Sequence, residues 1–384
     1  MANVPGVLHM NRTIHLALTH DWELRGDGSG DIEQIQFAPL RRLLEIYGKF
    51  GARTTFLPDV MQQIRFRNLE EKHPELKPLA DSWDEHVREA FRQGHDIQLH
   101  LHSQWSDAKY ESGRWELRGD WSLLNYDPDS ATAMLAECKN YLEHLLQPID
   151  PEYLCVAFRG SALAVAPSAH LMSSLAGLGI QMDVSVAAGV QLNNETLQLD
   201  YRRCEEAFLP YYPRMDDARK LSHQREPIVC VPLNHFYGSR RAVTKQNLAL
   251  AKARFDRRGA GLTAARSEPA RLDNQSSGLT RVYEKLIVPA IKRKHFVSDT
   301  GRLNYPLMCE MLTSIRQRAR ETGLPKIPIV LTNHPKDIRD WAAIERFVGE
   351  VSQADDIEFI TLAEMSEKLR SGEFQVRTAE ASHR

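Results

Sequence analysis

Two histidines two residues apart are the most chemically suggestive feature of this chain. They are His100 and His102, in the stretch Gly94-His95-Asp96-Ile97-Gln98-Leu99-His100-Leu101-His102-Ser103-Gln104-Trp105. Side chains alternate along a strand with a period of two, so Ile97, Leu99 and Leu101 share one face while Gln98, His100 and His102 share the other. Both imidazoles then point the same way. A single histidine there would read as a polar residue on a solvated face. A pair, with Gln104 and Trp105 at the mouth, suits a metal ion better, because neutral imidazole ligates zinc and similar ions. Such a pair needs a carboxylate from elsewhere in the chain.

Other apolar segments also run into reactive residue types. Ile14 to Thr19 leads to Asp21 and Glu23 just before the glycine-rich Gly26 to Gly30. Tyr153 to Phe158 leads to Arg159, the strand Ile180 to Ser185 carries Asp183, and Ile327 to Thr332 leads to His334. In parallel barrels and open sheets the C-terminal rim of the strands is where sites are built. Together these ends offer carboxylate and imidazole ligands, a spare carboxylate for proton abstraction, an arginine to orient it and a distant histidine able to act as an acid.

The elements that must carry these residues follow a strand-helix rhythm. Asp31 caps a helix with Ile35, Leu40, Leu43, Leu44 and Tyr47 roughly on one face. A strand follows at Ala52 to Leu57, and Trp83, Val87, Ala90 and Phe91 mark a helix just before Gly94. Further helices are expected at about 131–146, 167–178, 305–323 and 338–351, with a last one to about 369. A strand at Ile228 to Pro232 and another at Ile357 to Ile360 complete the set. Strands separated by helices imply parallel pairing with all C-terminal ends on one rim, an α/β architecture.

Ser106 to Ser130 reads as a long loop over those ends, and Gln191 to Gln224 has too weak a pattern for any element. Residues 240–294 are arginine-rich and enclose the low-complexity stretch 259–278. They read as an insertion at about 240–300, either a solvated helical excursion or a partner-binding element, the first being favoured. The expected organisation is a single domain over 1–370 with a tail at 371–384.

Composition narrows the class. The 384 residues are 42% hydrophobic and carry a net charge of -2, enough for a large core and too balanced for a global attraction to nucleic acid or an anionic membrane. The five cysteines contain no CxxC pair, which argues against a disulfide framework or a cysteine zinc site. Met1 to Arg12 lacks an apolar stretch of signal-peptide length, and no run approaches the roughly 20 apolar residues of a membrane helix. A cytoplasmic protein with no integral membrane segment is the expectation; the oligomeric state is left open.

With these residues in place, the chain from about Ile14 to Leu362 resembles the polysaccharide deacetylases with the NodB homology domain, carbohydrate esterase family 4. Thr19-His20-Asp21-Trp22-Glu23 is similar to the first motif in an Asp-x-Asp/Glu form. Gly94 to His100 resembles the second motif and departs from it at Gln104, where that family has a second histidine. Phe158-Arg159-Gly160 resembles the third motif and Gly179 to Val186 the fourth. Leu331-Thr332-Asn333-His334-Pro335-Lys336 resembles the fifth.

The resemblance implies a distorted (β/α) barrel with the helical, arginine-rich insertion on it, a bound divalent metal ion with zinc the first choice, and hydrolysis of an N-acetyl group on a sugar. The intracellular, variant-motif type points to cell-surface polysaccharide assembly such as O-antigen biosynthesis. Glu23 and His100 are then the expected metal ligands, with the third position between His102 and Gln104. His102 is preferred because an amide oxygen is a weak zinc ligand.

Asp21 is the expected base, oriented by Arg159, and His334 the acid, with Asp183 expected to pair with His334 and raise its pKa. His15, His20 and His95 read as structural. Trp22, Trp105, Trp115 and Trp121 are candidates for a sugar groove or for core packing. Two other readings stand beside this one: a non-catalytic member that binds a glycan or a partner, and an amidohydrolase or deformylase acting on another amide.

Overall fold

The computed structural model describes residues 12–193, 197–248 and 294–380. The first strand, β1 (Thr13–Trp22), is buried along nearly all its length and contacts strands on both sides. Such a strand reads as an almost continuous apolar run. It extends past the expected end at Thr19, because His20, Asp21 and Trp22 stay in register with Phe56, Leu57 and Pro58 of β2 (Thr55–Pro58). Asp21 is therefore held on a strand in the sheet. A five-residue π-helix (Glu33–Phe37), opened by a bond from the Gln34 N–H to Asp31 Oδ1, leads into α1 (Ala38–Phe50). Helix α1 stops at Gly51, whose φ of 61° is the left-handed conformation glycine adopts without strain.

Helices α2 (Val60–Leu69) and α3 (Leu76–Arg92) follow, and the histidine segment is then divided into β3 (Asp96–Ile97) and β4 (Leu99–Leu101). The expected unbroken strand is interrupted at Gln98. Its backbone N–H still bonds Phe56 on one side, while its side-chain oxygen accepts the N–H groups of Val156 and Ala157, each at 2.8 Å. A side chain thus continues the ladder where β3 leaves β2 and β4 joins β7 (Ala157–Gly160).

The expected loop at 106–130 contains the hairpin β5 (Lys109–Glu111) and β6 (Arg114–Glu116). The next helix, α4 (Pro128–Leu146), starts three residues before the expected point because Asp127 caps it, accepting the Ser130 N–H. After β7 come α5 (Leu171–Gly177) and β8 (Met182–Asp183). The region without a sequence pattern forms two short antiparallel hairpins, β9 (Gln191–Asn193) with β10 (Gln198–Asp200) and β11 (Pro213–Arg214) with β12 (Asp217–Leu221).

Strand β13 (Val229–Cys230) precedes β14 (His235–Gly238), which pairs antiparallel with β15 (Lys294–Val297). Residues 240–248 are helical. The low-complexity stretch at 259–278 lies outside the described residues. The chain ends with α6 (Tyr305–Thr322), β16 (Lys326–Asn333), α7 (Trp341–Ser352), β17 (Ile357–Phe359) and α8 (Leu362–Arg370).

Two parallel sheets result, β16-β1-β2-β3 with β17 also on β1, and β13-β8-β7-β4. Parallel bridges join them at both edges, Asp59 to His100 on one side and Leu233 to Val330 on the other. The strands therefore follow one another around a distorted barrel, with their C-terminal ends on one rim. Among the described residues no helix is long and apolar enough to cross a membrane, and all five cysteines are free.

The segment after Ser371, expected as a tail, is docked. Phe374 is buried, Arg377 exchanges backbone bonds with Pro210 and Tyr212, and its side chain pairs with Glu206 at 2.9 Å. Phe374 supplies the apolar anchor and the 210–212 segment the backbone partners.

Candidate metal and catalytic site

Three buried side chains converge at the rim. Glu23 comes from just past β1, His100 from β4 and His102 from the residue after β4. One ligand atom of each lies within 4.8 Å of the others, so this trio could hold a metal ion. Glu23 Oε2 is 3.1 Å from His100 Nε2 and also contacts His102 Nε2. On its other side, Nδ1–H of His100 donates to the Arg159 carbonyl at 2.9 Å. That bond fixes the ring and turns Nε2 toward Glu23, the arrangement commonly found behind a metal-binding histidine.

Gln104 is buried but faces His102 instead of the other two donors. Its amide lies 2.9 Å from His102 Nδ1, and its Oε1 has no partner. Turned by 180°, the same amide accepts Nδ1–H and leaves Nε2 free as a donor to a cation. The donor set therefore fits a divalent metal: one carboxylate and two imidazoles, with both rings held from behind. Gln104 belongs behind one of those rings.

The electrostatics follow from burial and neighbours. Burial raises the Glu23 pKa, but the charges of His102 and Lys336 and the bonds from both histidines outweigh it and hold the carboxyl well below the usual range. His100 is opposed by burial, yet Glu23, Asp21 and Asp59 push it up to about 9.

A second pair lies beside it. The Arg159 guanidinium is fully buried, contacts Asp21 Oδ1, and donates to the Val184 carbonyl and to Thr332 Oγ1, each at 3.2 Å. With Oδ1 fixed in this way, Asp21 Oδ2 faces His334, whose Nε2 is 3.5 Å away. His334 Nε2 is also 3.9 Å from Glu23 Oε1. Of the residues expected to form one pocket from remote segments, Asp21, Glu23, His100, His102, Arg159 and His334 are brought together.

Asp183 is the exception. It does not pair with His334. Its carboxylate accepts the hydroxyl and N–H of Ser185, at 2.7 and 3.2 Å, and meets Cys230 Sγ at 3.7 Å. Burial raises its pKa to about 6. β8 ends at Asp183, and its carboxylate satisfies the donors of Ser185 two residues further on. The partner of His334 is Asp299, whose Oδ2 lies 2.9 Å from Nδ1. Burial alone would lower the His334 pKa, but the charge and bond of Asp299 outweigh it and raise it. Burial likewise favours protonated Asp299, and His334 and Arg302 reverse that.

Three residues at the site escaped the sequence reading. Asp299 follows β15, so it was another acid just past a strand. Lys336, two residues after His334, bonds Glu23 Oε1 at 2.6 Å and the Leu24 carbonyl at 2.8 Å. Asp59, the cap of α2, accepts the His102 N–H at 3.1 Å, and burial raises its pKa. Only Asp299 had a usable signal in the chain.

The tryptophans divide. Trp22 and Trp105 are fully buried core residues, and Trp115 stacks on Phe66 with ring centroids 4.9 Å apart. Trp121 is half-buried and lies against Gly26, where a Cβ would be 2.4 Å from the indole ring. His20 bonds Tyr47 at 3.0 Å and stacks on Phe56, a structural role.

No protein-family model matches this sequence, and no curated protein matches it. Solved structures similar to it include one assigned as a polysaccharide deacetylase from Mycobacterium smegmatis, at 16% identity and a TM-score of 0.47, covering 98% of this chain and 97% of that one. Another is PuuE allantoinase, at 10% identity and a TM-score of 0.44, covering 96% and 98%. A third is the peptidoglycan deacetylase PdaC of Bacillus subtilis, at 10% identity and a TM-score of 0.30, covering 95% and 96%.

Proposed function

We propose that this chain is a metal-dependent hydrolase that removes the N-acetyl group from a sugar, as a polysaccharide deacetylase does. The observation that carries the reading is the meeting of Glu23, His100 and His102 with Asp21–Arg159 and His334–Asp299 on one rim. Zinc is the ion we assign, held by Glu23, His100 and His102. When bound, such an ion lowers the pKa of water and polarises an amide oxygen.

The remaining chemistry belongs to the side chains. Asp21 Oδ2 takes the proton of the attacking water, while Arg159 on Oδ1 holds the carboxylate in place. His334 carries its proton on Nε2, facing the reacting centre, and gives it to the leaving amine, which is a poor leaving group without it. Asp299 holds the opposite ring nitrogen and stabilises the protonated ring. The products are acetate and the free amino sugar. We place the protein in the cytoplasm, in the assembly of a cell-surface polysaccharide such as O-antigen.

Metal analysis with acetate release from a panel of N-acetylated sugars tests this. A stoichiometric divalent ion that is lost in His100→Ala, together with acetate release, is the expected result. Metal-free protein without hydrolysis would leave a glycan-binding or partner-binding role instead.

A further inference from the structure

The Lys336 ammonium sits against a carboxylate that the proposed metal site needs. Its Nζ is 2.6 Å from Glu23 Oε1 and 2.8 Å from the Leu24 carbonyl, and the side chain is only 12% exposed. The other oxygen of the same carboxylate, Oε2, faces His100 and His102. The two oxygens of Glu23 thus have different tasks.

We infer that Lys336 is a positioning residue that keeps Glu23 a one-oxygen ligand and weakens the site's hold on its metal. This rests on the metal reading proposed above. For Glu23 to chelate through both oxygens, Oε1 would have to hold the dication and the ammonium at once, or leave the ammonium with only the Leu24 carbonyl as a partner. A buried ammonium stripped of its anion is strongly unfavourable, so the ammonium retains Oε1 and the ion receives Oε2. A fixed positive charge next to the carboxylate also repels a divalent cation. Lys336 follows His334 by two residues across Pro335, so the same short segment places the proton donor and this cation.

Co(II) is the probe, because its visible absorption weakens as donors are added, and it reports coordination without turnover. The full-length chain, Lys336→Met, Lys336→Arg and His100→Ala are titrated with Co(II) in competition with a chelator, and folding is checked by circular dichroism. Lys336→Met is expected to bind Co(II) at least tenfold more tightly with a weaker visible band, while Lys336→Arg behaves as the parent chain. A folded Lys336→Met with the parent's band, or with unchanged or looser affinity, overturns the inference while the metal reading stands. A parent chain with no band, or a band that survives His100→Ala, overturns the metal reading and the inference with it.

Discussion

The carboxylate of Asp299 lies 2.9 Å from Nδ1 of His334, behind the ring nitrogen opposite the one that faces Asp21. An acid so placed fixes the ring's orientation and favours its protonated form, as the buried aspartate does for the imidazole of a Ser-His-Asp triad. Asp299→Asn keeps the shape and a hydrogen-bonding group but removes the charge. Its kcat for acetate release should fall by about 10- to 100-fold with KM little changed, and His334→Ala should cost about 10²- to 10⁴-fold. Steady-state kinetics on both variants check this. A loss confined to KM would show that Asp299 serves substrate binding instead.

Asp21 and Glu23 are two residues apart and have different partners, so their loss should have different consequences. Asp21→Asn keeps an oxygen near Arg159 but cannot accept the water's proton. Acetate release should drop by about 10²-fold or more while the metal content stays at the parent level. Glu23→Gln, in contrast, should lose metal. Metal analysis alongside the activity assay separates the two, and metal loss from Asp21→Asn would move that residue into the ligand set.

Much of this arrangement was legible because it depends on strand ends. Asp21, His100, Arg159 and His334 each close an apolar run, and parallel pairing brings such ends to one rim whatever their separation in the chain. The partner of His334 was not legible in the same way. Asp183 also closes an apolar run, but Ser185 and Cys230 take its carboxylate, and no periodicity encodes which of two acids a distant histidine meets. Lys336 stood in the fifth motif without a role assigned to it, and Asp59 had no pattern at all, since a helix cap usually has a purely local role. The docked segment around Phe374 was hidden for a similar reason: one apolar residue among polar ones carries little signal.

Two buried histidines outside the proposed metal set, His20 and His95, make the fold sensitive to acid. Burial, then His95 and Arg159, lowers the His20 pKa to about 3, and burial, then Arg53, lowers that of His95 to about 4. Both lie below the roughly 6.5 of an unfolded chain. Above pH 6.5 neither state holds the extra protons, so the folded state keeps its full stability there. As pH falls below 6.5 the unfolded chain takes up protons that the folded one refuses, and stability declines toward pH 3 to 4. At pH 5 the loss is about 2 kcal/mol for each histidine. His20→Phe can stack on Phe56. Denaturant unfolding at pH 7.5 and pH 5 should show a smaller decline in His20→Phe, and an unchanged decline would mean that other groups govern acid sensitivity.

Gln98 is where the histidine segment passes from one sheet to the other, and its side chain does work that a strand backbone normally does. Its Oε1 accepts two N–H groups, Val156 and Ala157, while its Nε2 donates to Asp96 Oδ1 at 2.9 Å. Gln98→Met preserves the volume but leaves both backbone donors without partners in the protein interior. Each such orphan costs about 1–3 kcal/mol, so a loss of about 2–6 kcal/mol is expected for the pair. Because β4 begins at the next residue, the same change should displace His100 against its partner on β7, the Arg159 carbonyl. Gln98→Met should therefore lose metal affinity as well as stability, although residue 98 touches neither Glu23 nor the proposed ion. Gln98→Glu separates the two effects: an ionised carboxylate can still accept both N–H groups, but it faces Asp96, so it should recover part of the stability at low pH only. Thermal unfolding and metal titration of both variants test this, and parent-like behaviour of Gln98→Met in both would remove Gln98 from any part in placing the histidines.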